Sequence, residues 1–265
     1  MAVKFFNNSS KIALVVEYDG RRYYGFQWQP GLPTIQSELE QAVRKLTRER
    51  KRVMSASRTD TGVHAKGQVV SFRTGTDYPP ETFIRALNYY LPEDIAVLAA
   101  ERVDDDFNVR RDALSREYEY RILNRAIRSP LITGFTYLVH GELDIDRMNE
   151  ACELLKGTHD FSSFAASLGQ KGSMVRNVHK AVMRREGDMV LFHITANAFL
   201  PHQVRNTVGL MIRLGQGKVT LEEFHEIMEQ KTLGMAGPAA PAHGLCLMKV
   251  NYPEKVELQY ENLFN

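Results

Sequence analysis

From Arg116 to Leu123 the chain alternates, with Tyr118, Tyr120 and Ile122 on one side of an extended backbone and Glu117, Glu119 and Arg121 on the other. Successive side chains of a strand point to opposite faces, so a period of two sorts these residues into an apolar face and a charged one. A helix would scatter both sets around its circumference. The segment therefore predicts a strand with one face on a core.

The rest of the chain supplies neighbours for it. Lys11 to Tyr18 is an apolar, valine-rich run ended by Asp19-Gly20, the pattern of a buried strand running into a turn. Thr34, after Pro33, is placed to cap a helix whose Ile35, Leu39, Val43 and Leu46 fall at helical spacing. Val53 to Ala56 and Gln68 to Phe72 read as strands. Pro80 and Glu81 open a second helix with Phe83, Leu87 and Tyr90 on one face, and Pro92 blocks its continuation. Ile95 to Ala100 is a further strand. The latter half repeats the mixture: a helix from about Asp144 to Leu155, strands near Val178 to Arg184 and Val190 to Thr195, helices beginning near His202 and Thr220, and a closing strand from Gly244 to Val250. No low-complexity linker divides the halves. The expectation is an α+β fold of two related subdomains, with mainly antiparallel sheets, continuous or closely joined, and flanking helices. We place the N-terminal subdomain at 11–107 and the C-terminal one at 108–252, with tails at 1–10 and 253–265.

With 265 residues, 43% of them hydrophobic, the chain can bury one large core or two smaller ones. No stretch approaches the roughly 18 consecutive apolar residues of a membrane span, and Met1 to Ser10 lacks a signal-peptide core. The expected compartment is the cytoplasm. The two cysteines, Cys152 and Cys246, are too few and too far apart for a metal knuckle or a disulfide framework and read as reduced core residues. A net charge of +2 does not by itself mark a nucleic-acid binder. Its distribution says more: Arg44, Lys45, Arg48, Arg50, Lys51, Arg52 and Arg58 crowd one segment with Glu49 as the acid among them. Such a cluster can track phosphates, or it can be a helix end whose cations complement the dipole.

Between two predicted strands lies the polar loop Ser57-Arg58-Thr59-Asp60-Thr61-Gly62-Val63-His64, the kind of place where a scaffold presents reactive groups. Asp60-Thr61-Gly62 invites comparison with an aspartic protease. That chemistry needs two carboxylates sharing a proton, there is no second Asp-Thr-Gly or Asp-Ser-Gly here, and Arg58 would favour the ionised form. The triplet alone fits an Asx-turn equally.

Around this loop the residues become specific. Arg58-Thr59-Asp60 followed by Gly62-Val63-His64-Ala65 resembles the catalytic loop of TruA-type tRNA pseudouridine synthases, in which the aspartate is essential. Tyr18-Asp19-Gly20 with Tyr24-Gly25-Phe26-Gln27 and Gln29 resembles the family's first loop, and Arg116, Tyr118 and Tyr120 its arginine and alternating-tyrosine strand. Gly157 with His159-Asp160-Phe161 and Ser163-Phe164 follows in order. Phe199-Leu200 and His202-Gln203-Val204-Arg205-Asn206 with Gly209 resemble its helix-opening motif, and Gly237-Pro238, Ala240-Pro241-Ala242, Gly244-Leu245 and Leu247 its closing loop and strand. The resemblance runs from about Lys11 to Tyr252. Ser57 departs from the family's usual glycine, and Thr61, Val109 and Cys246 from its usual residues; a positive φ at Ser57 would strain the loop by about 1 kcal/mol or more.

The resemblance implies an isomerase without cofactor or metal. Its reaction detaches uracil from C1′ at N1, turns it and rejoins it through C5, and needs an ionised carboxylate in a cleft between the two subdomains. Asp60 takes that role, Arg205 is its expected partner, and Tyr118 offers a ring to stack on uracil and a hydroxyl to help move the C5 proton. Arg58 would fill the space of the flipped base, while Arg21, Arg22 and His202 would touch RNA. Plainer readings stand beside these: a surface arginine at 205, a core tyrosine at 118, and His64 or His202 bracing a loop. Tyr23, Tyr24, Phe26 and Trp28 can either stack on RNA or anchor a long loop. The implied substrate is tRNA, at uridines 38, 39 and 40 of the anticodon stem-loop, and the implied assembly a homodimer. Two alternatives remain: a noncatalytic RNA-binding or RNA-chaperone protein, and a pseudouridine synthase acting on another RNA.

Overall fold

The computed structural model describes residues 9–166 and 173–253, so most of both expected tails lies outside the described residues. The chain forms two compact units. One holds the residues up to Thr61, Ala65–Leu114 and the segment from Val250; the other holds Gly62–His64 and Ser115–Lys249.

The first unit contains β1 (Ser10–Tyr18), α1 (Ile35–Thr47), β2 (Met54–Ser55), β3 (His64–Thr74), α2 (Pro80–Tyr90) and β4 (Ile95–Val103). β1 lies between β3 and β4 and is antiparallel to both, with Leu14 opposite Val70 on one side and Ala100 on the other; β2 pairs with β3. Ile12 to Val16 are completely buried, which is why this strand reads as an unbroken apolar run rather than an alternating one. Thr34 caps α1 as expected, in a reciprocal box with Ser37: each backbone N–H is bonded by the other's hydroxyl, at 3.0 and 3.2 Å. Ile35, Leu39 and Val43 carry the buried stripe.

The second unit contains β5 (Ser115–Asn124), β6 (Tyr137–Val139), α3 (Ile145–Leu155), β7 (Gly157–Asp160), β8 (Val175–Glu186), β9 (Met189–Ala196), α4 (Gln203–Gly215), α5 (Leu221–Glu229) and β10 (Leu245–Asn251). β9 is antiparallel to β5 and to β8, and β10 flanks the other side of β5. The two units share a plan. Leaving aside β6, β7 and α5, each runs strand, helix, two strands, helix, strand, and in each the first of these strands sits between the third and the fourth while the second flanks the third: β4–β1–β3–β2 and β10–β5–β9–β8. The expected α+β fold of related, mainly antiparallel subdomains is what the strand order shows.

Some elements differ from expectation. β3 begins at His64, so the last residue of the expected loop is already strand. The expected strand over Val53 to Ala56 contracts to β2. β6 and β7 went unforeseen: β6 is three residues long and pairs parallel with β5, and β7 reads Gly-Thr-His-Asp, without an apolar pattern. The charged face of β5 is not left to water either, because Glu119 is buried between Arg121 Nε at 2.6 Å and His193 Nδ1 of β9 at 3.5 Å.

A recurrent device ties helices to the strands that follow them. Asn88 of α2 donates to the Val97 carbonyl at 2.9 Å and accepts from the Val97 N–H at 2.7 Å. Asn149 of α3 does the same with both backbone groups of Met183, at 3.0 and 2.9 Å. In α1 the work is shared: Gln36 donates to the Val53 carbonyl and Glu40 accepts from the Val53 N–H, both at 3.0 Å. Cys152 and Cys246 are buried free thiols, and burial pushes the Cys152 thiol up to about 12. Among the described residues no helix is long and apolar enough to cross a membrane.

Candidate active site

Gln68 organises the loop before β3. It precedes the buried Val69-Val70 pair in β3 and is itself wholly buried. Its Oε1 accepts from the Ser57 N–H at 3.3 Å and its Nε2 donates to the Ser57 carbonyl at 2.7 Å, so one carboxamide holds both backbone groups of one loop residue. The same Nε2 lies 3.3 Å from the Tyr18 hydroxyl, which is 2.8 Å from Thr59 Oγ1. The β1–β3 register shifts between Val16 and Tyr18, a local irregularity of the kind that re-aims a side chain beside a functional loop.

Thr59 is held a second time through its backbone, whose carbonyl accepts from the Phe26 N–H at 3.0 Å. This contact explains Gly25. With φ at +84°, a Cβ there would stand 2.8 Å from the Thr59 carbonyl oxygen, so the motif Tyr24-Gly25-Phe26 lets one loop lie directly on the other. Ser57 is not among the left-handed residues, and the strain that its departure from glycine raised is absent. Asp60 follows this fixed stretch half-buried, and Arg58 is exposed.

In the second unit, Tyr118 of β5 is buried with its ring edge-on to Phe199, at 5.1 Å between centroids and 86° between planes. Arg116, one residue pair earlier on the same strand face, is also buried, and its guanidinium donates to the Asn197 carbonyl at 2.7 Å. Tyr120 packs as the core residue expected of it, donating to the Pro241 carbonyl at 2.8 Å. Arg205 lies in the first turn of α4, half-buried rather than on the open surface. Its Nε donates to the Ala240 carbonyl at 2.8 Å and its own carbonyl accepts from the Ala240 N–H at 2.9 Å. One turn on, a Cβ at Gly209 would run into the Pro238 carbonyl, so the glycine is what allows α4 and the 237–241 segment to touch. His202 precedes α4 with φ at +61° and makes no side-chain cap. His64 Nε2 donates to the Gly134 carbonyl at 3.1 Å and its ring stacks on Phe135, a bracing role.

The remaining basic candidates are held by acids of their own unit. Arg21 pairs with Asp19, and that hydrogen bond holds its guanidinium above its ordinary pKa. Arg22, largely exposed, reaches Asp94 at 3.3 Å. Asp94 also takes the Tyr23 hydroxyl, whose pKa is raised by burial first and by that bond second. The aromatic loop divides between the two readings open to it: Tyr23 and Phe26 are buried anchors, while Tyr24 and Trp28 are exposed, with the Arg52 guanidinium 5.8 Å from the Trp28 ring. Arg44 and Lys45 complete the last turn of α1 and Arg48 caps it in the left-handed conformation, so part of the basic cluster is a helix end. Arg50 and Arg58 remain exposed.

Sequence reasoning missed Gln68. Its signal was a single carboxamide inside a buried strand pattern, and its partner lies eleven residues away.

This chain is similar to known proteins over most of its length. A family model described as tRNA pseudouridine synthase matches residues 14–112 and 151–253. The tRNA pseudouridine synthase A of Francisella tularensis subsp. tularensis strain SCHU S4 is 42% identical over 241 residues, covering 91% of this chain and 93% of its own. That of Thermoanaerobacter sp. strain X514 is 41% identical over 241 residues, covering 91% and 99%. Among solved structures, an archaeal box H/ACA sRNP Nop10–Cbf5 complex gives a TM-score of 0.35 at 13% identity, over 77% of this chain and 43% of that one, a likeness too weak to bear on the fold.

Proposed function

Because this chain belongs to the tRNA pseudouridine synthase family, and is thus an isomerase acting on tRNA uridine, we propose that its targets are uridines 38, 39 and 40 of the anticodon stem-loop. We further assign the catalytic carboxylate to Asp60. The observation that supports this most is the way Asp60 is presented, directly after a residue held at both its hydroxyl and its carbonyl. A carboxylate that must act beside one glycosidic bond needs such fixed presentation.

The reaction breaks the N1–C1′ bond and forms C5–C1′; the C5 proton leaves and N1 ends protonated, with no net redox change. Asp60 serves the glycosidic step as the ionised group. Arg205, whose Nε donates to the Ala240 carbonyl, is assigned as the cationic group of the same reaction. Tyr118, set edge-on against Phe199, offers a ring face to uracil and a hydroxyl to the C5 proton. Arg58 fills the place of the flipped nucleotide, and Arg21, Arg22 and His202 contact RNA. Asp60 belongs to the first unit, and Tyr118 and Arg205 to the second.

The proposal extends to cytoplasmic action and to a homodimer in which one tRNA touches both subunits, since a net charge of +2 gives a single subunit little long-range pull on a polyanion. The deciding experiment is tritium release from C5-labelled uridine in tRNA transcripts, followed by mapping of the modified positions. Release confined to positions 38, 39 and 40 is the expected result. Modification elsewhere would move the target, and tight binding without release would favour a noncatalytic RNA-binding role.

A further inference from the structure

We propose that Gln68 is a positioning residue for Asp60, acting through Ser57 on one side of Arg58 and through Tyr18 and Thr59 on the other. The inference rests on Asp60 being the catalytic carboxylate. It concerns a residue that touches neither substrate nor Asp60 in the contacts described above.

The Gln68 carboxamide has only one consistent orientation. Gln68 Oε1 faces an N–H and Nε2 faces a carbonyl, so a flipped carboxamide would set donor against donor and acceptor against acceptor. Nε2 therefore has its second proton for the Tyr18 oxygen, and the Tyr18 hydroxyl shares a 2.8 Å hydrogen bond with Thr59 Oγ1. A single buried side chain thus fixes the backbone at Ser57 directly and the Thr59 side chain at one remove. The Phe26 N–H closes the frame on the Thr59 carbonyl. Between the two held residues only Arg58 lies free to project, and Asp60 leaves the frame at its rim.

Burial gives the frame its stiffness. Tyr18, Thr59 and Gln68 are all buried, so water cannot substitute for a bond that is lost. Replacing Gln68 by an apolar residue of similar length leaves the Ser57 N–H and C=O without this partner and lets the loop shift. Misplacement of a reacting group by about 1 Å can cost on the order of a hundredfold in rate while leaving ground-state contacts in place.

The test compares Gln68→Leu, Tyr18→Phe, Leu87→Ala and Asp60→Asn by single-turnover rate and tRNA affinity. Leu87 lies in the core of α2, away from the loop, and serves as the control for lost stability. At a temperature well below every midpoint, Gln68→Leu should lose roughly 10- to 100-fold in rate with affinity within about threefold, as expected for a displaced reacting group. Tyr18→Phe, which removes one hydroxyl, should lose about fivefold, and the double variant less than the product because both act in one network. Leu87→Ala should stay within about twofold of wild type. A Gln68→Leu rate no worse than that of Leu87→Ala would overturn the proposal, and so would a loss that appears wholly in affinity. Should Gln68→Leu fail to fold, Tyr18→Phe decides: a folded variant turning over at the wild-type rate refutes the chain of contacts. Asp60→Asn separates the two claims. Wild-type turnover there removes the catalytic assignment, whereas an inactive Asp60→Asn beside a fully active Gln68→Leu removes the positioning role alone.

Discussion

The segments that carry Asp60 and Arg205 are held in opposite ways. Before Asp60, every described constraint is a satisfied polar contact: Ser57 to Gln68, Thr59 to Tyr18 and Phe26, with Gly25 supplying the close approach. At the start of α4 the local geometry works against itself. His202 is left-handed, it makes no side-chain cap, and the Nε2 of buried Gln203 has no hydrogen-bond partner although its Oε1 accepts from the Leu200 N–H. Such features cost about 1–3 kcal/mol each. What compensates is the helix behind them, with Val204, Val208, Leu210, Met211 and Leu214 all buried. One candidate group is fixed by bonding within its loop, the other by its hydrogen bonds to Ala240 and by a buried helix that overrules the local preference at its start. Disturbing the first should therefore cost function, and relaxing the second should raise stability.

The largest expected effect is on the loop. Asp60→Asn should lower turnover by about 10³-fold or more while tRNA affinity stays within about tenfold, because the carboxylate serves the reaction more than ground-state binding. Residual turnover near wild type would end the comparison by removing its first member. Gly25→Ala follows: the added methyl meets the Thr59 carbonyl at an unfavourable φ, so stability should fall by about 2 kcal/mol, or roughly 4–8 °C in Tm, with turnover falling too. Calorimetry showing no change would mean that the loops separate at little cost.

On the other side, Arg205→Met should reduce turnover by roughly a hundredfold and lower Tm, since it removes a guanidinium anchored to Ala240. A variant matching wild type in both would make Arg205 a structural tether only. His202→Gly sharpens the contrast: relief of the left-handed conformation should raise Tm by roughly 1–3 °C, while activity drops several-fold. A Tm loss there would show that the histidine side chain stabilises more than its backbone strains.

The smallest effect lies outside both segments. Burial on β9 depresses the His193 pKa, with Glu119 opposing and Arg184 and Lys180 adding to the shift. The unfolded chain therefore binds the proton more readily. The stability contributed is full above the unfolded pKa and is lost as pH falls through the folded value. Melting curves between pH 7 and pH 5 should show a shallower acid loss in His193→Gln than in wild type. Parallel curves would place the acid sensitivity elsewhere.

Much of the framework was legible. Alternation marked β5, an unbroken apolar run marked β1, and Thr34 and Pro80 marked helix starts, because each signal is local. What escaped is tertiary. β6 exists only because β5 offers it a partner, and three residues cannot show a period. His64 joins β3 because Tyr18 of β1 pairs with its neighbour Ala65. For the candidate site, Asp60 was visible through motif context, as the triplet alone fits a simple turn. Gln68 could not be found by pattern, since a glutamine in a strand reads as a solvent-facing residue until its partner at Ser57 is known. The half-burial of Arg205 likewise depends on the 237–241 segment, which lies far along the chain from α4's first turn.

Asn88 and Asn149 also bear on how the folded chain treats its own copies. Among the described residues β4 ends the strand order and Met183 lies beyond the stretch of β8 that β7 covers, so the outward N–H and C=O at Val97 and Met183 would otherwise be open rungs. Open rungs are templates for a strand from another molecule. A carboxamide has the donor and acceptor of a peptide group, and each asparagine occupies its rung as a counterfeit strand one residue long. Solubility at high concentration is thus partly in the keeping of two helix side chains that have no part in the chemistry.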